Sequence, residues 1–424
     1  MKAAVSIPDA EKPRFWEALR LWFRIGCIGF GGPSGQIAIL RSEVVEQRGW
    51  VGEGEFLRAL QFCMLLPGPE AQQLATYLGW RLHGIRGGIA AGGLFVLPAA
   101  VLLWVLSLLY VVGRDWSLLH AFFEGLKPAV VAIVASALWK IGRRTVTTLP
   151  LALIALTALV LILLHAPYPA VVLGFGFLGF FFLRGQGRED FPISGSGERR
   201  DWRDSIRVML SVLVAWIVPM AGIFLWIGPK AMPLKVGLFF GKVALFSFGG
   251  AYAALSYVSL HASSDWGWVT PGQMMDGLGL AETTPGPLLI ALQFVAFVAC
   301  YHSPGVLSPL LAATLGSLAA VWSLFLPSFL WIFALAPHME RIFRNRGMAG
   351  ALSAIGAVVT AVITSLALWF AKGVITHGQG IAWITLLMAG TAFLILHSKR
   401  LGIVPVILLS GASGILLQVL GSPL

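Results

Sequence analysis

Apolar runs close to the roughly 20 residues that a helix needs to cross a bilayer recur along the whole chain, and they leave few folds open to it. By hydropathy they fall near 16–40, 56–80, 87–112, 118–139, 149–164 and 168–183, then 208–228, then 234–260, 274–300, 305–336, 349–371, 381–396 and 402–420. A soluble core cannot hide so many. Hydrophobic residues make up 58% of the 424 positions and charged ones 12%, against about 25% charged in an ordinary soluble domain. The expected fold class is an all-α polytopic membrane protein.

The grouping is six segments, one, and six, and the second six repeat the first. "FGG" at 30–32 recurs at 248–250, "GWV" at 49–51 recurs at 267–269, and "PGP" at 67–69 recurs at 285–287, all at one constant offset. Three short motifs in register without a gap mark a duplication. Farther on the offset lengthens, where "LW" at 138–139 meets "LW" at 368–369. Residues 1–15 read as a cytoplasmic N-terminal segment, 16–183 as the first repeat, 184–207 as a polar cytoplasmic loop, 208–228 as a linking transmembrane span, and 234–424 as the second repeat. An even number of spans per repeat leaves both copies facing the same way, and the linking span turns the second one over. Two inverted-topology repeats are expected.

Loop charge agrees with this topology, because Lys and Arg collect on the cytoplasmic side of short loops. With the N-terminus inside, that side receives Lys12, Arg14, Arg81, Arg86, Lys140, Arg143, Arg144 and the arginines of the central loop. The other side receives Arg41, Arg48, Arg114, Lys230, Lys235 and Lys372. The net charge of +11 therefore reads as membrane topology and not as a nucleic-acid surface. Three cysteines in apolar settings and eight histidines without metal spacing give no disulfide framework, metal or cofactor. "GLGLAET" at 277–283 lacks the strand and the Gly-Lys-Ser/Thr ending of a phosphate loop. No paired-carboxylate cluster supports an enzyme.

Glycine and proline inside membrane segments need a reason. Backbone that leaves helical geometry in the bilayer survives only where protein or a water-filled cavity satisfies it. In carriers built from inverted repeats, broken helices meet near the midplane and point amide ends at anions. Phe30, Gly31, Gly32, Pro67, Gly68 and Pro69, matched by Phe248, Gly249, Gly250, Pro285, Gly286 and Pro287, supply two such breaks per repeat. The plainer reading of each alone is close helix packing or a kink. The spacing from Phe30 to Pro67, repeated from Phe248 to Pro285, favours a paired site.

Arg24 and Lys242 stand at matched positions six residues before each Phe-Gly-Gly, and either face a shared cavity or snorkel to an interface. Glu70 follows one Pro-Gly-Pro and Glu282 precedes the other; each is placed to carry a proton or to form a fixed ion pair. Gln72, Thr283 and Thr284 offer uncharged hydrogen bonds, and Ser34 and Tyr252 place a hydroxyl at one matched position.

"FGGPSGQIAIL" followed by "LLPGPEAQQLATYLGW", then "FSFGGAYAALSYV" followed by "AETTPGPLLIALQFVAF", resembles the chromate ion transporter family in its long two-domain form. The resemblance covers both halves. It implies a carrier in the bacterial inner membrane that exports chromate, with sulfate as the analogue that competes or exchanges. The family motif falls on the Phe-Gly-Gly and Pro-Gly-Pro residues named above. Expected partners are chromate or sulfate and membrane lipids, not nucleic acid, and a homodimer stays open as the assembly.

Overall fold

Glycine and proline set the helix ends. In a computed structural model of the chain, α1 (Phe15–Ile28) stops at Gly29, and α2 (Gly32–Arg41) restarts with a proline in its first turn and runs into a π-helical turn, Ser42–Glu46. α3 (Glu53–Leu65) stops before the first Pro-Gly-Pro and α4 (Glu70–Val112) starts after it. His83 and Gly84, the latter at φ +63°, leave helical geometry and divide α4 into arms 70–82 and 85–112. α5 (Ser117–Thr145), α6 (Leu149–Leu163) and α7 (Tyr168–Phe182) complete the first half, and α8 (Trp202–Ile227) links it to the second.

There the order repeats. α9 (Met232–Phe246), α10 (Ala251–Ser259) with a π-helical turn at Leu260–Asp265, α11 (Pro271–Thr283) and α12 (Ala291–His302) precede α13 (Pro309–Leu335). α14 (Arg346–Ile375), α15 (Trp383–His397) and α16 (Ile403–Val419) follow. The structure describes residues 13–113, 115–183, 202–248, 250–339, 346–377, 380–381, 383–398 and 400–420. Most of the expected N-terminal segment, residues 184–201 of the expected polar loop, and Gly249 lie outside these. Among the described residues, strand pairing is confined to Thr376–His377 against Gly380–Ile381.

The runs read as single segments at 16–40, 56–80, 234–260 and 274–300 are each a pair of short helices. A 14-residue helix such as α1 is about 21 Å long, short of the roughly 30 Å hydrocarbon layer. The pairs fold back as hairpins. Arg81, near the end of the first α4 arm, contacts Glu55 at the start of α3, with Nε 2.6 Å from Oε1. Phe239 of α9 stacks on Tyr257 at the far end of α10, with centroids 5.9 Å apart. This corrects the sidedness read for Arg41 and Arg48. Arg41 pairs with Glu53 at 2.9 Å at the hairpin base, and Arg48 shares a cleft with Arg14, Arg20 and Arg24, so both lie where α1 begins.

Five helices are long and apolar enough to cross a membrane among the described residues: Glu70–Val112, Ser117–Thr145, Ser205–Ile227, Pro309–His338 and Gly347–Val374. The most apolar window of Ser205–Ile227 is only 6% buried, which puts the linking helix at the periphery. Elsewhere the halves exchange helices. α5 lies against α15 and α16 of the second half, while α14 lies against α6 and α7 of the first. Both contacts bring backbones together: a Cβ on Gly125 would stand 2.6 Å from the Gly414 Cα, and one on Gly179 would stand 2.5 Å from the Gly350 carbonyl oxygen. Small residues permit such approach in lipid, where close packing drives association. The contacts run in both directions, the first half's α5 onto the second half and the second half's α14 onto the first.

Candidate functional site

Each hairpin carries a helix break at its tip, and the tips meet across the halves. The Gly68 amide donates to the Ser247 carbonyl at 3.1 Å, and the Gly286 amide donates to the Gly29 carbonyl at 2.9 Å. Gly29 and Ser247 occupy matched positions in the two repeats, as do Gly68 and Gly286, so this is one interaction made twice. Gly68 and Gly286 share a backbone conformation, φ +122° and +115°, that L side chains rarely adopt. Glycine is required at both. Gln36 adds a cross-half clamp, donating from Nε2 to the Gly29 carbonyl at 3.1 Å and also to the Gly286 carbonyl.

The two kinds of helix end at the tips are treated differently. Carbonyl ends are capped within the protein. Thr283 and Thr284 donate back to Leu280 and Ala281 at 2.8 and 2.9 Å, Ser247 donates to Ala244 at 3.1 Å, and the Gln73 amide donates to the Pro67 carbonyl at 2.7 Å. Among the described residues α2, α4 and α10 each begin without a side-chain hydrogen bond at the N-cap, as most helices of the chain do. Uncapped amide ends carry partial positive charge and favour anions.

Two carboxylates stand at the start of α10. Glu70 Oε1 lies 3.8 Å from where a Cβ on Gly250 would stand, and Glu282 Oε1 accepts the Tyr252 hydroxyl at 2.9 Å. The cations whose charge bears on these carboxylates, Arg144 on Glu70 and Lys140 on Glu282, come from the end of α5. Both side chains are exposed there and, among the described residues, form no ion pair with either carboxylate. The spacing of Lys140 and Arg144, one helical turn, puts both on one face of α5.

The tips therefore gather Phe30, Gly31, Gly32, Pro67, Gly68, Pro69, Glu70, Phe248, Gly250, Tyr252, Glu282, Pro285, Gly286 and Pro287. They do not gather the expected cation pair. Arg24 is 61% exposed and points to Glu43 at 3.7 Å in the basal cleft, and Lys242 is exposed on α9 without an ion pair among the described residues. Thr283 and Thr284 direct their hydroxyl protons to their own helix, so neither is aimed as a donor to an anion. Ser34 is exposed, and Gln72 is buried with its Oε1 unpartnered among the described residues. Gln36 is the tip residue that sequence reasoning missed; Lys140 and Arg144 bear on the two carboxylates through charge alone. Gln36 lies within the quoted motif, but nothing in spacing announces a clamp onto a residue as distant in the chain as Gly286.

A duplicated, polytopic helical membrane protein whose broken helices converge with open amide ends belongs to the broad class of membrane transport proteins. Comparison narrows it: residues 16–180 and 234–415 match the chromate transporter family, and the chain belongs to that family. It is 29% identical to a chromate transport protein of Pseudomonas aeruginosa, over 93% of this chain and 90% of that one. It is 28% identical to a probable chromate transport protein of Synechococcus elongatus, over 81% and 82% of the two chains. An uncharacterised transporter of Methanocaldococcus jannaschii is 26% identical, over 93% and 92%. No solved structure matches. Membership supports a role in chromate transport for this multi-pass membrane protein.

Proposed function

We propose that the chain is a secondary active carrier that exports chromate across the bacterial inner membrane by alternating access. Sulfate, a tetrahedral dianion of similar size, is the competing or exchanged ion. The observation that carries this reading is the asymmetry of the tips: capped carbonyl ends beside open amide ends of α2, α4 and α10, joined across the halves by reciprocal hydrogen bonds. The anion sits against those amide ends, in the field of Lys140 and Arg144. Glu70 lies where the anion would bind, so anion entry requires its neutralisation or displacement, which ties transport to a proton at Glu70 or Glu282.

The hairpins enter and leave on one side, and each half then adds four crossings, so a single linking helix inverts the second half. The N-terminus is cytoplasmic in this topology. Rocking of the halves about the tips exposes the anion alternately to the two sides. An interior-negative potential aids export by about 2.3 kcal/mol per charge per 100 mV.

The test is flux into proteoliposomes with chromate, sulfate and molybdate under imposed pH gradients and voltages. Chromate is expected to accumulate beyond its electrochemical equilibrium, with sulfate competing. Relaxation to equilibrium and no further would indicate a passive anion pore and overturn the carrier reading.

A further inference from the structure

α11 holds a second buried carboxylate that the tip site does not use. Asp276 is 5% exposed. Its Oδ2 accepts the Tyr110 hydroxyl at 2.8 Å, while its Oδ1 has no hydrogen-bond partner among the described residues. The Tyr110 ring is held edge-on between Phe123 and Phe294, with centroids 4.9 Å from each, so its hydroxyl is fixed in place.

The other titratable groups that face Asp276 come from α5. They are Lys127, whose ammonium lies 3.2 Å from a Cβ position on Gly272, one turn before Asp276, and Glu124, which Lys127 contacts. One turn farther out, His120 Nε2 stands 3.8 Å from Glu124. His120, Glu124 and Lys127 occupy one face of α5, and their side-chain exposures fall from 70% to 23% to 14%. The ladder leads from the surface to Asp276.

Net charge gives the ladder its purpose. With His120 neutral, two carboxylates share one ammonium, so the cluster carries a net negative charge in a place where an uncompensated charge is costly. One bound proton removes it. The arrangement has no counterpart in the other half: Arg58 is the match of Asp276 at the offset of the Phe-Gly-Gly motifs, and Gly350, Ala354 and Ala357 are the matches of His120, Glu124 and Lys127 at the longer offset of the "LW" pair. It is therefore not a leftover of the duplication. α11 also carries Glu282, six residues or about 9 Å beyond Asp276 along the same helix.

We propose that Asp276 is a proton-binding site, reached from the His120 end of α5 through Glu124 and Lys127, and that its proton is the driving ion for anion movement. This rests on the carrier reading and places Asp276 on the entry route of the proton that Glu70 or Glu282 carries at the tips, Glu282 standing on the same helix. In the proposed topology the His120 end faces the periplasm, so protons enter as the dianion leaves, and no covalent step is involved.

The experiment uses the full chain in proteoliposomes, with an internal pH dye and chromate measured together. The wild type is expected to accumulate chromate when a pH gradient is imposed and to move protons as it does so. Asp276→Asn is expected to keep downhill chromate counterflow and to lose at least tenfold of the pH-driven accumulation, while Asp276→Glu restores part of it. A merely structural role would depress counterflow equally. Should Asp276→Asn fail to fold, Glu124→Gln, nearer the surface, must show the same selective loss. Retained pH-driven accumulation in whichever variant folds overturns the proposal. So does a wild type that accumulates chromate under voltage but ignores the pH gradient, and in that case the carrier reading stands. A wild type that only equilibrates chromate sinks the carrier reading instead.

Discussion

Glu43 closes the first hairpin in contact with Arg48 and Arg24; at the matched position of the second repeat, His261 closes the third hairpin among Tyr257, Trp266 and Phe239. The backbone around them is the same, with a π-helical turn at Ser42–Glu46 and Leu260–Asp265 and a glycine at φ +61° at both Gly49 and Gly267. The contrast recurs on the long helices. Lys140 and Arg144 of α5 correspond, at the longer offset, to the buried Phe370 and Val374 of α14. Duplication thus preserved the geometry that brings the tips together and released the side chains, so that Glu43 with two arginines stands where the other half has His261 with Asp265 and a set of aromatic rings. The tip contacts do not require the side chains of the two halves to match.

The shared geometry is where the largest loss is expected. Gly286→Ala forces an L residue into φ +115° with its Cβ 2.4 Å from that of Ala99, which cannot move away. Backbone strain and overpacking together amount to roughly 3 kcal/mol or more. Gly68→Ala meets the ends of two side chains, the Gln73 amide at 2.9 Å and the Ser328 hydroxyl at 3.0 Å, which yield more readily than the Ala99 Cβ does, although the Gln73 amide would strain its bond to the Pro67 carbonyl. Its cost is expected to stay at about 1–3 kcal/mol, chiefly from the backbone. Thermal melting of the two purified variants in one detergent ranks them. Equal losses would mean that the tips are more alike than their neighbours imply.

The unequal chemistry comes next. Replacing Lys140 and Arg144 together with glutamine is expected to lower chromate flux at least tenfold, about 1.4 kcal/mol, while leaving the melting temperature near that of the wild type. Phe370→Leu, at the matched site in α14, is expected to lower stability by about 1 kcal/mol with flux nearly intact. A double glutamine variant with normal chromate affinity would remove α5 from the site. Between these falls Gln36→Leu. It deletes the clamp on Gly29 and Gly286; the Gly29 carbonyl keeps the Gly286 amide, so the loss falls on the Gly286 carbonyl, at about 1–3 kcal/mol. Gln73→Leu loses one bond, within its own hairpin, and is expected to cost less in the same melting assay.

What the sequence discloses depends on the kind of signal each feature leaves. The duplication and the helix breaks left local signals: Phe-Gly-Gly and Pro-Gly-Pro recur in register and end helices here. Gly87-Gly88, Gly92-Gly93 and Pro98 stand inside α4, so it is the repeated register and not glycine or proline alone that marked the breaks. Hairpin against through-span was not legible, because hydropathy counts apolar residues and is blind to chain reversal; α1 and α2 together read as one run of spanning length. Arg24 and Lys242 misled for a related reason. Sequence distance from a break measures position along a helix and not the direction a side chain takes, and Arg24 turns to Glu43 at the base. Lys140 and Arg144 read as inside-loop charges, and both stand exposed at the end of α5, so nothing local in the sequence ties their charge to Glu70 or Glu282.

The smallest effect tests the two hairpin bases against each other. Arg48 donates to the Glu43 carbonyl at 3.0 Å, contacts its carboxylate, and lies 5.6 Å from the centre of the Trp50 ring. Yet Glu43 keeps Arg24 at 3.7 Å, so Arg48→Ala is expected to cost at most about 1 kcal/mol. Trp266 meets Phe239 and Trp268 at centroid distances of 4.6 and 4.5 Å, aromatic contacts worth about 0.5–1.5 kcal/mol each. Trp266→Ala is therefore expected to cost more, although the two residues occupy the same place in the duplicated backbone. Salt separates the causes. At 1 M the screening length falls to about 3 Å, so the penalty for losing Arg48 should shrink while that for losing Trp266 persists. Melting both variants at low and high salt would show it, and a salt-insensitive Arg48→Ala would mean that the first base is held by packing on Trp50 and not by charge.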